Sequence, residues 1–212
     1  MATRCSISVL AGTNGAGKSS VAGASIRARG GEYFNPDEAA RRILEAQPGI
    51  GVEAANSRAW LLGKRLLEDA IARRGEFAFE TTLGGNTIPE LLHRAHSAGL
   101  DIRIWYVGLE SPELHIARVK SRVARGGHDI PQARIRERYD RSRENLIRLL
   151  PILTELWVFD NTEEGDSARG GIADPQLILH VVDGLIAEAA EASQVRDWAK
   201  PIFIAVQRQF ST

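Results

Sequence analysis

Cysteine is almost missing from this chain. Cys5 is the only one in 212 residues, so no intrachain disulfide can form. Placed at the start of an apolar run, Cys5 reads as a small buried hydrophobe. Net charge is missing as well, since 27 Lys and Arg balance 27 Asp and Glu. Without a net field there is no general pull on DNA, RNA or an acidic membrane, and neither nucleic acid nor membrane is expected as a partner. No stretch approaches the ~18 apolar residues of a membrane span. The N-terminus lacks the long apolar run of a signal peptide, and the expected compartment is the cytoplasm. His93, His96, His115 and His180 show no metal-ligand spacing. No Ser-His-Asp arrangement is readable, and an apolar strand ending in Asp, the usual Walker B pattern, is not clear.

What the chain has is alternation. Apolar strands are expected at Ser6–Ala11, Glu32–Phe34, Phe77–Phe79, Ile102–Gly108 and Leu156–Phe159. Helical segments lie between them: Ser19 to about Arg29, one opened by Asn35-Pro36-Asp37-Glu38, Glu53 to Arg74, one opened by Thr87 and Glu90, one from Ser111-Pro112, and one from Asp129–Pro131 to about Leu150. Asn35 fits a helix cap and Pro36 the first helical position. Thr87 with Glu90 has capping-box spacing, and Gly75 fits a C-terminal cap. Strands alternating with helices predict a parallel sheet covered on both sides. The expected fold class is α/β, a three-layer αβα arrangement on five parallel strands. The length suits one domain, residues 1–212, with a lid at about 118–138 and a helical segment at about 175–212. Residues 163–171 are the only linker-like stretch.

The sharpest pattern is Gly12-Thr13-Asn14-Gly15-Ala16-Gly17-Lys18-Ser19. It matches G-x-x-x-x-G-K-[ST] and sits between a strand and a helix, where that motif works. Its backbone N–H groups and the helix N-terminus suit phosphate oxygens. Lys18 is placed to reach the outer phosphates of ATP. Ser19 is placed to bind Mg²⁺, and Ser20 lies beside it.

Two carboxylates should lie at the same end of the sheet. Asp37 follows the second strand and reads either as the base that takes the proton of an attacking hydroxyl or as a helix-start acid. Glu80, with Thr81 and Thr82, follows the third strand and points to acceptor or Mg²⁺ binding. Arg118, Arg122 and Arg125 share one helix face, and Arg134, Arg138 and Arg141 share another. From these, Arg122 and Arg138 are expected over the transferring phosphoryl group, with Arg125 near the nucleotide. His128 reads either as a phosphate or acceptor contact or as a locally bonded loop residue. Asn161 reads as an adenine-side residue or as a plain turn residue.

These residues together resemble the zeta-toxin family, in its short bacterial form. The likeness rests on the P-loop, Asn35–Glu38, Glu80–Leu83, Tyr106–Pro112, Gly126–Pro131, Ile135 through Tyr139 to Asn145, and Phe159–Asn161. The resemblance implies a P-loop kinase core with the parallel strand order 2-3-1-4-5, ATP and Mg²⁺ as cofactors, Lys18 as the phosphate lysine, Asp37 as the base, Glu80 in the acceptor site, and Arg122 and Arg138 as lid arginines. It implies transfer to a hydroxyl of UDP-N-acetylglucosamine or a related sugar nucleotide, and an antitoxin protein as partner. Two other functions fit the residues: a kinase for another small molecule, such as an antibiotic, sugar or nucleoside, and a nucleotide-gated binding protein with slow ATPase activity.

Overall fold

The computed structural model describes residues 5–21, 33–127, 129–163 and 175–210. The expected helix from Ser19 to Arg29 lies mostly outside the described residues. So do His128 and most of the 163–171 stretch.

Among the described residues, seven strands form one sheet. β1 (Ser6–Ala11), β2 (Tyr33–Phe34), β3 (Phe77–Thr81), β4 (Asp101–Gly108), β5 (Glu155–Asp160), β6 (Gln176–Val182) and β7 (Leu185–Ala189) lie in the order β2-β3-β1-β4-β5-β6-β7. The first five are parallel and keep the expected order 2-3-1-4-5. The expected strand count is corrected, because β6 and β7 extend the sheet antiparallel. The helical segment expected from residue 175 is therefore a hairpin followed by one helix. Asp183 and Gly184 both take positive φ, 49° and 76°. That is the turn that joins antiparallel strands with the right twist.

The helices are α1 (Lys18–Val21), α2 (Pro36–Ala46), α3 (Val52–Arg73), α4 (Thr87–Ser97), α5 (Pro112–Ala124), α6 (Gln132–Leu149) and α7 (Lys200–Phe210). Asn35 caps α2 by accepting from the N–H of Asp37 at 2.8 Å and of Glu38 at 3.2 Å. Ser111 caps α5 through the N–H of Leu114 at 3.2 Å. Two local expectations fail. Thr87 is already helical, and its neighbour Asn86 occupies the cap without a side-chain bond. At the end of α3 the left-handed residue is Arg74, φ 51°, with Gly75 one place later.

The core follows from the strand period of two. On one face Ile7, Val9, Ile102, Ile104, Leu156 and Val158 pack under apolar rows of α3, α4, α6 and α7. On the other, Leu10, Ala78, Trp105 and Val107 pack with Ala16 of the P-loop and Val21 of α1. A sheet buried on both faces explains the unbroken apolar runs Val9–Ala11 of β1 and Ile104–Val107 of β4. Cys5 departs from its expectation. It precedes β1 and is exposed, its carbonyl accepting from the Asp101 N–H at 3.1 Å. Helices α5 and α6 share a small core of their own, Ile116, Val119, Ile130 and Ile135. No helix among the described residues is long and apolar enough to cross a membrane.

Candidate active site

The P-loop leaves β1 at Gly12 and enters α1 at Lys18. Parallel pairing places Leu10 of β1 beside Glu80 of β3. That register brings the Glu80 carboxylate to the loop. Lys18 Nζ lies 3.3 Å from Glu80 Oε1, with side chains only 7% and 12% exposed. Three further donors converge on Glu80 Oε2: Ser19 Oγ at 2.9 Å, Tyr33 OH at 2.8 Å and Asn35 Nδ2 at 3.1 Å. Burial works to raise the Glu80 pKa, but the Lys18 ammonium and the bonds from Tyr33, Ser19 and Lys18 outweigh it and hold the carboxyl below its usual range. Glu80 is thus a charged carboxylate joined to the P-loop itself. Thr81 turns inward, its Oγ1 accepting from the Leu83 N–H at 3.1 Å, and Thr82 is half-buried at the turn.

Asp37 stands in the first turn of α2, half-exposed, its carboxylate 3.5 Å from Arg122 Nη1. Arg138 reaches the P-loop from α6. Its Nη1 donates to Asn14 Oδ1 at 2.8 Å, and its carbonyl accepts from Thr13 Oγ1 at 3.4 Å. Gly84 permits that approach, since an added Cβ would lie 2.6 Å from the Arg138 Cγ. Asn145 fixes the turn between β3 and α4 by donating to the Leu83 carbonyl at 2.8 Å and the Gly85 carbonyl at 3.0 Å.

Arg125 is not brought to the loop. It is exposed, and its guanidinium bonds back to Ser121 of its own helix, at 3.2 Å to the carbonyl and 3.3 Å to Oγ. The shared helix face ends there because α5 stops at Ala124. Arg125→Ala is expected to leave the ATP KM within about twofold of the parent, as an exposed substitution away from buried contacts should. A steady-state titration of ATP checks it.

Asn161 lies under the phosphate loop, its Nδ2 donating to the Ala16 carbonyl at 2.8 Å. Its neighbour Asp160 is buried. It accepts from the Thr162 N–H at 2.8 Å and Trp198 Nε1 at 3.2 Å, with Arg196 Nε at 3.1 Å. That contact ties the segment before α7 to the end of β5. His115 is a residue that the spacing of histidines did not single out. It is 1% exposed, with ring Nδ1 2.8 Å from the Asn14 carbonyl oxygen.

Among the described residues there is no group of three His, Cys, Asp or Glu able to hold a metal. The donor set here suits a different ion. Ser19 Oγ and the Glu80 carboxylate are oxygen ligands side by side, 2.9 Å apart. Mg²⁺ takes few protein oxygens and completes its shell with phosphate and water, so these two residues fit it.

Residues 3–164 match the family model described as Zeta toxin. An uncharacterised protein of Haemophilus influenzae is 32% identical over 128 residues, which is 60% of this chain and 88% of that protein. A chain of the AvrRxo1-ORF1:AvrRxo1-ORF2 complex with sulphate ions superposes with a TM-score of 0.68 at 14% identity, over 97% of this chain and 64% of that one. The same complex with ATP gives 0.67 at 15% identity, again over 97% and 64%. This chain therefore spans just under two thirds of those chains. A chain of the PezAT toxin-antitoxin system of Streptococcus pneumoniae gives 0.57 at 14% identity, over 100% of this chain and 80% of that one. At such identities the likeness is one of fold.

Proposed function

The chain belongs to the zeta-toxin family, and from that premise we propose that this P-loop kinase moves the γ-phosphoryl group of ATP to a hydroxyl of a UDP-N-acetylamino sugar. Two carboxylates with divided duties carry this reading. Glu80 is joined to Lys18 and Ser19, on the phosphate and cation side. Asp37 remains half-exposed at the mouth of the site, facing a lid arginine. A kinase needs both arrangements: fixed charge around the phosphates, and an accessible carboxylate to take the proton of the acceptor hydroxyl.

In this scheme the P-loop N–H groups and Lys18 hold the outer phosphates. Ser19 and Glu80 hold Mg²⁺, which supplies charge neutralisation when bound. Glu80 was read as an acceptor-site or Mg²⁺ residue, and its bonds to Lys18 and Ser19 support the cation side. Arg122 faces Asp37, and Arg122 and Arg138 would stabilise the phosphoryl group as charge spreads over it. Thr82 borders the acceptor. ATP as donor is supported by the AvrRxo1 complex solved with ATP. An antitoxin partner is supported by the PezAT system. The sugar nucleotide follows from the family resemblance, and a cytoplasmic site follows from that substrate.

The test is direct. Purified protein with ATP, Mg²⁺ and UDP-N-acetylglucosamine should yield a sugar nucleotide heavier by one phosphoryl group in the mass spectrum. Asp37→Asn should lower that rate by about 10²–10⁴, the span for a general base, while ATP still binds. Undiminished transfer by Asp37→Asn would remove the base assignment. ATP bound with no product would remove the sugar nucleotide.

A further inference from the structure

We propose that His115 is a positioning residue for the phosphate cradle, holding the Asn14–Gly15 peptide in the one orientation that aims the Gly15 N–H at the phosphates. This rests on ATP binding at the P-loop. His115 lies on α5, two turns from Arg122, and is buried against the loop from outside. Its Nδ1 is 2.8 Å from the Asn14 carbonyl oxygen. An oxygen with no hydrogen can only accept, so Nδ1 carries the proton and donates. Burial drives the ring pKa down to about 4, keeping it neutral at pH 7.

The consequence comes from peptide geometry. The chain has no cis peptide bonds among its described residues. In a trans peptide the C=O and the following N–H point in opposite directions. Drawing the Asn14 carbonyl outward to α5 therefore turns the Gly15 N–H inward, to the concave side of the loop. Gly15 is the residue that allows it. Its φ is +85°, and a Cβ there would lie 2.6 Å from the His115 carbonyl oxygen. The ring itself is braced. Tyr139 of α6 meets it edge-on, centroids 5.6 Å apart, and the Tyr139 hydroxyl donates to the Glu110 carbonyl at 2.7 Å. Asn14 is thereby held from both lid helices, by His115 on its main chain and by Arg138 on its side chain. The lid and the cradle share one residue, so displacing the lid releases the peptide.

The test uses the bond count of the side chain. In asparagine the amide nitrogen stands as many bonds from Cα as Nδ1 does in histidine. In leucine there is volume but no donor. His115→Leu should weaken binding of a fluorescent ATP analogue by about tenfold, the cost of one misdirected hydrogen bond to a charged group. His115→Asn should return it to within about threefold of the parent. Equal losses in both variants would make His115 a packing residue and overturn the proposal, as would parent-like binding by His115→Leu. Long-range ¹⁵N–¹H spectra of the nucleotide-free protein supply an independent readout. The Nδ1–H tautomer is expected, and an Nε2–H tautomer would overturn the proposal whether or not ATP binds. Failure of the parent protein to bind the analogue would overturn the P-loop reading, and this proposal with it.

Discussion

Glu80→Gln is expected to lower the melting temperature by about 6–12 °C and phosphoryl transfer by about a hundredfold. Glutamine has the shape of glutamate and can still accept from Tyr33 and Asn35. It cannot balance Lys18, whose ammonium is 7% exposed and 3.3 Å away. Removing one partner of a buried pair leaves an uncompensated charge, which costs about 3 kcal/mol at the low end of such cases. In a domain of this size each kcal/mol moves the midpoint by about 2–4 °C. The rate falls because the oxygen beside Ser19 is no longer anionic, an electrostatic loss of the order seen when one fixed stabilising group is removed. Lys18→Met should destabilise comparably, by orphaning Glu80. The double variant should regain most of the melting temperature and none of the activity. Thermal scans of the four proteins decide it. If the two losses simply add, Lys18 and Glu80 are not coupled and the pairing is wrong. The pH dependence has a fixed sign. The Glu80 carboxyl is held below its unfolded value of 4.5. Its stabilisation is present above that pH and fades as pH falls further, so the gap between parent and Glu80→Gln should narrow only in acid.

Gly12→Ala should be as damaging for a different reason. Gly12 has φ +139°, and a Cβ there would stand 2.1 Å from the Val107 carbonyl oxygen and 3.2 Å from its carbon. Those atoms are backbone of β4, so no side chain can swing aside. The loop or the sheet must move, at about 3–5 kcal/mol for strain and overlap together. That corresponds to about 6–20 °C in the melting temperature. ATP binding should be lost with it, because the whole cradle hangs from this residue. Gly85→Ala is the control. Nothing lies within 4 Å of its added Cβ, and its melting temperature should stay within about 2 °C of the parent. Equal behaviour of the two variants would show that the loop is not pinned against β4.

Much of this was legible in the chain. The eight P-loop residues specify their turn because glycine alone tolerates φ +139° at Gly12 and such close backbone contact. Asn35-Pro36 wrote its own helix start. The apolar runs at Ser6–Ala11 and Ile102–Gly108 implied a buried parallel sheet. The hairpin of β6 and β7 was less visible. Ile178, Leu179 and Val181 are an apolar run too short to separate strand from helix by period alone, although Asp183-Gly184 is a turn signal. Arg125 misled because a face drawn by spacing assumes the helix continues, and α5 ends one residue before it.

The sequence by itself determined the local conformations: the phosphate loop, the helix starts at Asn35 and Ser111, and the strand faces. Each depends on residues within a few positions of one another, or on burial that composition reveals. Only the tertiary structure decided which groups meet. Glu80 takes Lys18 and leaves Asp37 accessible; Arg138 and His115 meet at Asn14; Asn161 reaches the Ala16 carbonyl. Spacing along a helix or strand fixes which side chains share a face, but the partner of that face is set by how the strands order and the helices dock. Those contacts span from 62 to 145 positions of sequence.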